Sequence, residues 1–143
     1  MLALVFAAAL LADPVSVSLP SEPAPLHGTL LTPEGAVQAA AVILPGSGPT
    51  DRDGNSPLGI RAATYRLLAE GLADKGIATV RIDKRGIAES APALRDEASL
   101  SFDDNIADAR AWAALARERS GQPCVWLIGH SEGALVALGA AAQ

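Results

Sequence analysis

The stretch Cys124-Val125-Trp126-Leu127-Ile128-Gly129-His130-Ser131-Glu132-Gly133-Ala134-Leu135-Val136-Ala137-Leu138 decides how the rest of the chain is read. Two apolar runs flank a serine that has glycine two residues away on each side, which predicts a strand, a sharp turn and a helix. The turn holds the serine in a strained backbone conformation. Side chains at the two glycine positions would collide with the strand and helix that meet there, so hydrogen is all that fits. Such a junction displays a hydroxyl beside the free N–H groups of a helix start. Five residues are weak support alone, and the surrounding pattern has to carry the reading.

Working back from that turn, Ser101 with Asp104 three residues on predicts a capping box and a helix start. Phe102, Ile106, Ala109, Trp112, Ala113 and Ala116 form its buried face, and Gly121 and Pro123 end it. Before it, Ile77-Ala78-Thr79-Val80-Arg81-Ile82 reads as a strand that runs into Asp83-Lys84-Arg85-Gly86-Ile87-Ala88-Glu89-Ser90. Residues 60–75 read as a helix, with Tyr65, Leu68, Ala69 and Leu72 on one stripe and a stop at Lys75-Gly76. Ala39 to Leu44 is apolar throughout, which suits a strand covered on both faces. The loop that follows, Pro45-Gly46-Ser47-Gly48-Pro49-Thr50-Asp51-Arg52-Asp53-Gly54-Asn55, is dense in turn formers and long for a connection, which favours function over linkage. Its Gly-x-Gly is no dinucleotide fingerprint, because the third glycine would fall at Asp51. Residues 15–20 and 27–32 read as two half-exposed strands joined by a Pro-rich turn. Strands alternating with helices imply a mostly parallel sheet with helices on both faces.

The chain has 143 residues, enough for one domain with a core, and a formal charge of −5 with no basic patch, which argues against a nucleic-acid partner. The single cysteine, Cys124, has no internal disulfide partner and reads as a small core residue. Leu2 to Ala12 is an apolar block of signal-peptide length, too short to span a bilayer, with small residues that allow cleavage after Ala9 or Ala12. No Lys or Arg precedes it, so a buried N-terminal helix is the other reading. Taken as an export signal, it leaves a mature chain of 13–143 without a membrane span, located in the periplasm or outside the cell; uncleaved, the protein is cytoplasmic.

Acyl transfer by a serine needs a base to take its proton and donors for the oxyanion. The backbone N–H of Glu132 is one such donor, and the Gly46-Ser47-Gly48 loop can supply the second. In these features the chain resembles the α/β-hydrolase fold from residue 15 to its end. The resemblance rests on three blocks: Leu44 to Asn55, Asp83 to Ser90, and Gly129 to Ala134. They are similar to bacterial serine esterases related to lysophospholipases and serine aminopeptidases. The resemblance implies Ser131 as nucleophile and the backbone amides of Ser47 and Glu132 as the oxyanion hole. It also implies a small ester or acyl substrate and no cofactor. Pro45 stands where many relatives have histidine, and Ala88 replaces the second glycine of D-x-R-G-x-G-x-S; neither position supplies catalytic atoms.

In that fold the acid and the histidine follow the nucleophile, but no histidine follows His130 and no acid follows Glu132. The sequence therefore reads as the N-terminal part of an exported carboxylic-ester hydrolase, holding the nucleophile and hole without the base. Two alternatives stand beside it: a non-catalytic chain that folds onto a partner, and a serine peptidase. His130 is expected to point away from the Ser131 hydroxyl and pack on a neighbouring loop. His27 reads as a solvated surface residue. Asp51, Arg52 and Asp53 either orient the oxyanion loop or form an exposed polar turn. The strand before Ser131 is expected at an exposed sheet edge, where it would aggregate or recruit a partner.

Overall fold

The computed structural model describes residues 13–142; the block read as an export signal lies outside them. In chain order the strands are β1 (Val15–Leu19), β2 (Leu26–Leu31), β3 (Ala39–Leu44), the two-residue β4 (Asn55–Ser56) and β5 (Ile60–Arg61), β6 (Ile77–Ile82) and β7 (Val125–Gly129). The helices are α1 (Thr64–Ala73), α2 (Phe102–Ser120) and α3 (Glu132–Ala141). The main sheet runs β1-β2-β6-β3-β7, with β6, β3 and β7 parallel and the β1–β2 and β2–β6 pairs antiparallel.

Each face of the sheet buries its own apolar layer, as the continuous hydrophobicity of β3 requires. On one side Tyr65, Ala69 and Ala73 of α1 cover Leu31 and Ile43. On the other, Ile106, Ala109, Trp112 and Ala116 of α2 and Val136 and Ala140 of α3 cover Val42, Leu44, Val80 and Ile82. Trp112 is fully buried, and Gly28 on β2 leaves the space for its ring: a Cβ there would lie 3.0 Å from Trp112 Cη2 and 2.8 Å from the Arg81 carbonyl. Burying a side chain of this size contributes about 3 kcal/mol.

The capping box of α2 is formed as the sequence predicts. The Asp104 N–H donates to Ser101 Oγ and the Ser101 N–H to the Asp104 carboxylate, while Gly121 closes the helix with φ 70°.

Four local expectations are corrected. Helix α1 begins at Thr64, because Ile60-Arg61 instead turns back to pair with Asn55-Ser56 as a hairpin. Leu68 is exposed, since α1 buries the small residues Ala69 and Ala73 and only Tyr65 among the larger ones. Phe102 is exposed at the first turn of α2, before that helix reaches the sheet. Cys124 is exposed, because it precedes β7 and belongs to the turn after α2.

Candidate active site

Three loops leave the carboxyl ends of the adjacent parallel strands β6, β3 and β7 and meet. The loop after β7 carries Ser131, whose φ of 54° and ψ of −120° lie where side-chain-bearing residues are rarely found. Strain of this kind costs about 1–3 kcal/mol. The flanking glycines permit it. A Cβ on Gly129 would sit 2.2 Å from the Gly133 carbonyl oxygen, and one on Gly133 would sit 2.4 Å from the Leu44 oxygen. Both close approaches are to backbone, which cannot yield as a flexible side chain can. Ser131 is exposed and its hydroxyl makes no capping bond to α3.

The loop after β3 lies against this turn. Gly46 is buried, and a Cβ there would come within 2.9 Å of His130 Nδ1 and 3.3 Å of Ser131 Cβ. Ser47, the next residue, is exposed. Gly46, the neighbour of Ser47, thus packs on the turn that carries Ser131 and Glu132, and among the described residues the Ser47 and Glu132 N–H groups have no backbone acceptor.

Two residues that sequence reasoning passed over hold the Gly46 peptides. Tyr65, 7 % exposed, accepts the Gly46 N–H at 3.3 Å through its hydroxyl, which also bonds His130 Nδ1 at 2.9 Å. From the loop after β6, the Lys84 ammonium donates to the Gly46 carbonyl at 2.5 Å. Burial pushes the Lys84 pKa down, against the opposing pull of Glu132. Tyr65 was legible only as a member of the buried stripe of α1, and Lys84 only as one position in the Asp83-to-Ser90 block; neither spacing reveals a loop contact. His130 does pack on the neighbouring loop, through Tyr65.

The rest of the long loop is anchored rather than loose. The Asp51 carboxylate accepts from the Asp53 and Asn55 N–H groups at 2.9 and 2.8 Å, an Asx turn. Arg52 donates its backbone N–H and Nε to the two carboxylate oxygens of Asp83 at 2.7 and 2.9 Å. Its guanidinium also pairs with Glu89, and Asp53 pairs with the buried Arg81. Asp83 is 1 % exposed, and burial pushes its pKa up while the Arg52 N–H and charge pull it down. These contacts decide for loop orientation at Asp51, Arg52 and Asp53. His27 lies away from Ser131, with its N–H donated to Ser90 Oγ and its ring 3.9 Å from Glu89.

Residues 58–143 match the family model described as serine aminopeptidase, S33. The chain belongs to this family. The matched span of this serine aminopeptidase family member includes the Asp83 and Ser131 loops and begins after Asn55. Among curated proteins, none matches the sequence. Among solved structures, the chain resembles an α/β serine hydrolase without lid from Xanthomonas campestris (27 % identity, TM-score 0.65, 91 % of this chain and 56 % of that one). It also resembles a dienelactone hydrolase from Anabaena variabilis (27 %, 0.62, 91 % and 57 %). A third likeness is to an α/β serine hydrolase homologue from Coxiella burnetii (21 %, 0.62, 86 % and 54 %). The chain spans about half the length of these structures. The fold is that of the α/β hydrolases, as the sequence predicts. Among the described residues no helix is long and apolar enough to cross a membrane, and no group of three or more His, Cys, Asp or Glu is placed to hold a metal ion.

Proposed function

We propose that this chain carries the nucleophile and oxyanion-binding part of a serine hydrolase acting on carboxylic esters. The observation that carries the reading is the strained backbone of Ser131, held at the start of α3 with its hydroxyl uncommitted and the Gly46-Ser47 loop in contact with it. In the reaction, Ser131 Oγ attacks the ester carbonyl carbon as a base takes its proton. The carbonyl oxygen becomes an oxyanion that accepts from the Ser47 and Glu132 N–H groups. The alcohol leaves with a proton, and water then hydrolyses the acyl-serine.

Neither of the two histidines of the chain is placed to act as that base. His130 Nδ1 is engaged by Tyr65, and His27 lies on β2 with its N–H bound to Ser90 Oγ. Serine at the turn, where the chemistry could have used aspartate or cysteine, points to ester, thioester or amide acyl groups. The family match favours an amide-cleaving variant as the second reading, distinguished by comparing aminoacyl p-nitroanilides with p-nitrophenyl esters.

The test is hydrolysis of short-chain p-nitrophenyl esters by the 143-residue chain. Slow release that Ser131→Ala abolishes is expected. Release unaffected by Ser131→Ala would refute the nucleophile, and fast release abolished by it would show that a group of this chain does serve as the base.

A further inference from the structure

We propose that Lys84 is a positioning residue that locks the Gly46–Ser47 peptide in the orientation that aims the Ser47 N–H into the site. This rests on the reading of that N–H as an oxyanion donor. A trans peptide is planar, with its C=O and N–H pointing in opposite directions, so fixing one end fixes the other. Lys84 Nζ holds the Gly46 carbonyl, which belongs to the same peptide as the Ser47 N–H.

The peptide needs such a lock. It joins Gly46 to Ser47 and is followed by Gly48 with φ 76°, and Ser47 is exposed, so neither a packed Ser47 side chain nor a strand ladder restrains its rotation. A half-turn about it would replace the N–H with a carbonyl oxygen and oppose an oxyanion instead of stabilising it. The preceding peptide is held separately, because the Gly46 N–H donates to Tyr65 Oη. Packing of Gly46 against His130 and Ser131 Cβ fixes its distance from the nucleophile turn. Distance and orientation are therefore set by different residues.

Lys84 is suited to this task alone. Among the described residues its ammonium lies within 4.0 Å of no carboxylate, so a carbonyl is its closest partner. Burial works against its charge, and Glu132, which lines the same cleft of about 410 Å³ beside Gly48 and Pro49, supports it. A cation on the carbonyl also polarises the peptide and strengthens its N–H as a donor.

The experiment compares the 143-residue chain with Lys84→Met, which keeps the apolar stem, and Lys84→Arg, which restores a donor. Two readouts are taken: the 15N–1H resonances of Gly46 and Ser47, and the rate of Ser131-dependent acylation by p-nitrophenyl acetate. Lys84→Met is expected to move the Ser47 resonance and slow acylation by about 10–100-fold, short of the 10²–10³-fold for losing an oxyanion donor outright, with the half-saturating ester concentration little changed. Lys84→Arg is expected to recover both in large part. An unmoved Ser47 resonance in folded Lys84→Met overturns the lock, whatever the rate does. A moved resonance with unchanged Ser131-dependent acylation overturns the positioning role and locates the failure in Ser47 as a donor. Absence of Ser131-dependent acylation in the unmodified chain bears on the hydrolase reading and not on the lock, which the Ser47 resonance still decides. If Lys84→Met does not fold, Lys84→Gln, too short to reach the carbonyl, takes its place with the same expected changes.

Discussion

Replacing Ser131 with glycine should make the protein more stable while removing the hydroxyl proposed as its nucleophile. The φ of 54° at Ser131 costs a side-chain-bearing residue about 1–3 kcal/mol, and glycine pays almost none of it. Against that gain, glycine has more freedom to lose on folding, about 0.5–1 kcal/mol. Nothing else is forfeited in the folded state, because the Ser131 side chain is exposed and caps nothing. The net effect is a stabilisation of about 1 kcal/mol. A chain of 143 residues has an unfolding entropy of about 0.3 kcal/mol per kelvin, so the melting temperature should rise by about 3 °C. Ser131→Ala is the control, since it keeps the Cβ and hence the strain, and should melt within about 1 °C of the unmodified chain. Circular dichroism melts and urea titrations of the three proteins make the comparison. If Ser131→Gly is no more stable than Ser131→Ala, the backbone at this turn is not strained, and the case for a site maintained at the expense of stability collapses.

Two other perturbations probe the scaffold. Asp83→Ala leaves the Arg52 guanidinium with only the exposed Glu89 as ionic partner and should cost about 3 kcal/mol, seen as a lower urea midpoint; a loss under about 1 kcal/mol would show that the loop is not anchored there. The Ser101 N–H and hydroxyl hold the Asp104 carboxyl below its ordinary pKa of 3.8. A depressed carboxylate adds stability above its unfolded pKa and loses it as pH falls through the folded one. The stability difference between the unmodified chain and Asp104→Ala should therefore be full at pH 6 and shrink below about pH 4; a difference that persists undiminished at pH 2 contradicts this origin.

What the sequence made legible was local. The Ser101–Asp104 pair sits at a fixed spacing and caps α2 as read, and the glycines around Ser131 fit a steric demand that any strand-to-helix turn of this kind imposes. The order of strands and helices followed from periodicity. Contacts between loops distant in the chain were not legible, because no spacing encodes them. Tyr65 and His130 lie 65 residues apart, and Lys84 lies 38 residues from Gly46. The hairpin at Asn55–Arg61 was hidden for a related reason: Ile60 and Arg61 continue the helical pattern of α1, and only pairing across the turn pulls them out of it. Cys124 and Phe102 misled because an apolar residue at the end of a run carries no mark of whether the covering layer reaches it.

The pairing of Leu44 with Gly129 and of Ile43 with Arg81 makes the sheet a ruler for the loops that leave it. Sliding β7 by one residue along β3 would carry Ser131 about 3.3 Å from the Gly46 loop and turn Leu127 from one face of the sheet to the other. Insertions and deletions inside β3, β6 or β7 are thus excluded twice over, by chemistry and by burial. The turns at the opposite end of the sheet, such as Gly35 to Gln38, face no such demand. Variation in chain length should therefore collect at the amino end of the parallel strands, leaving the carboxyl end invariant in length.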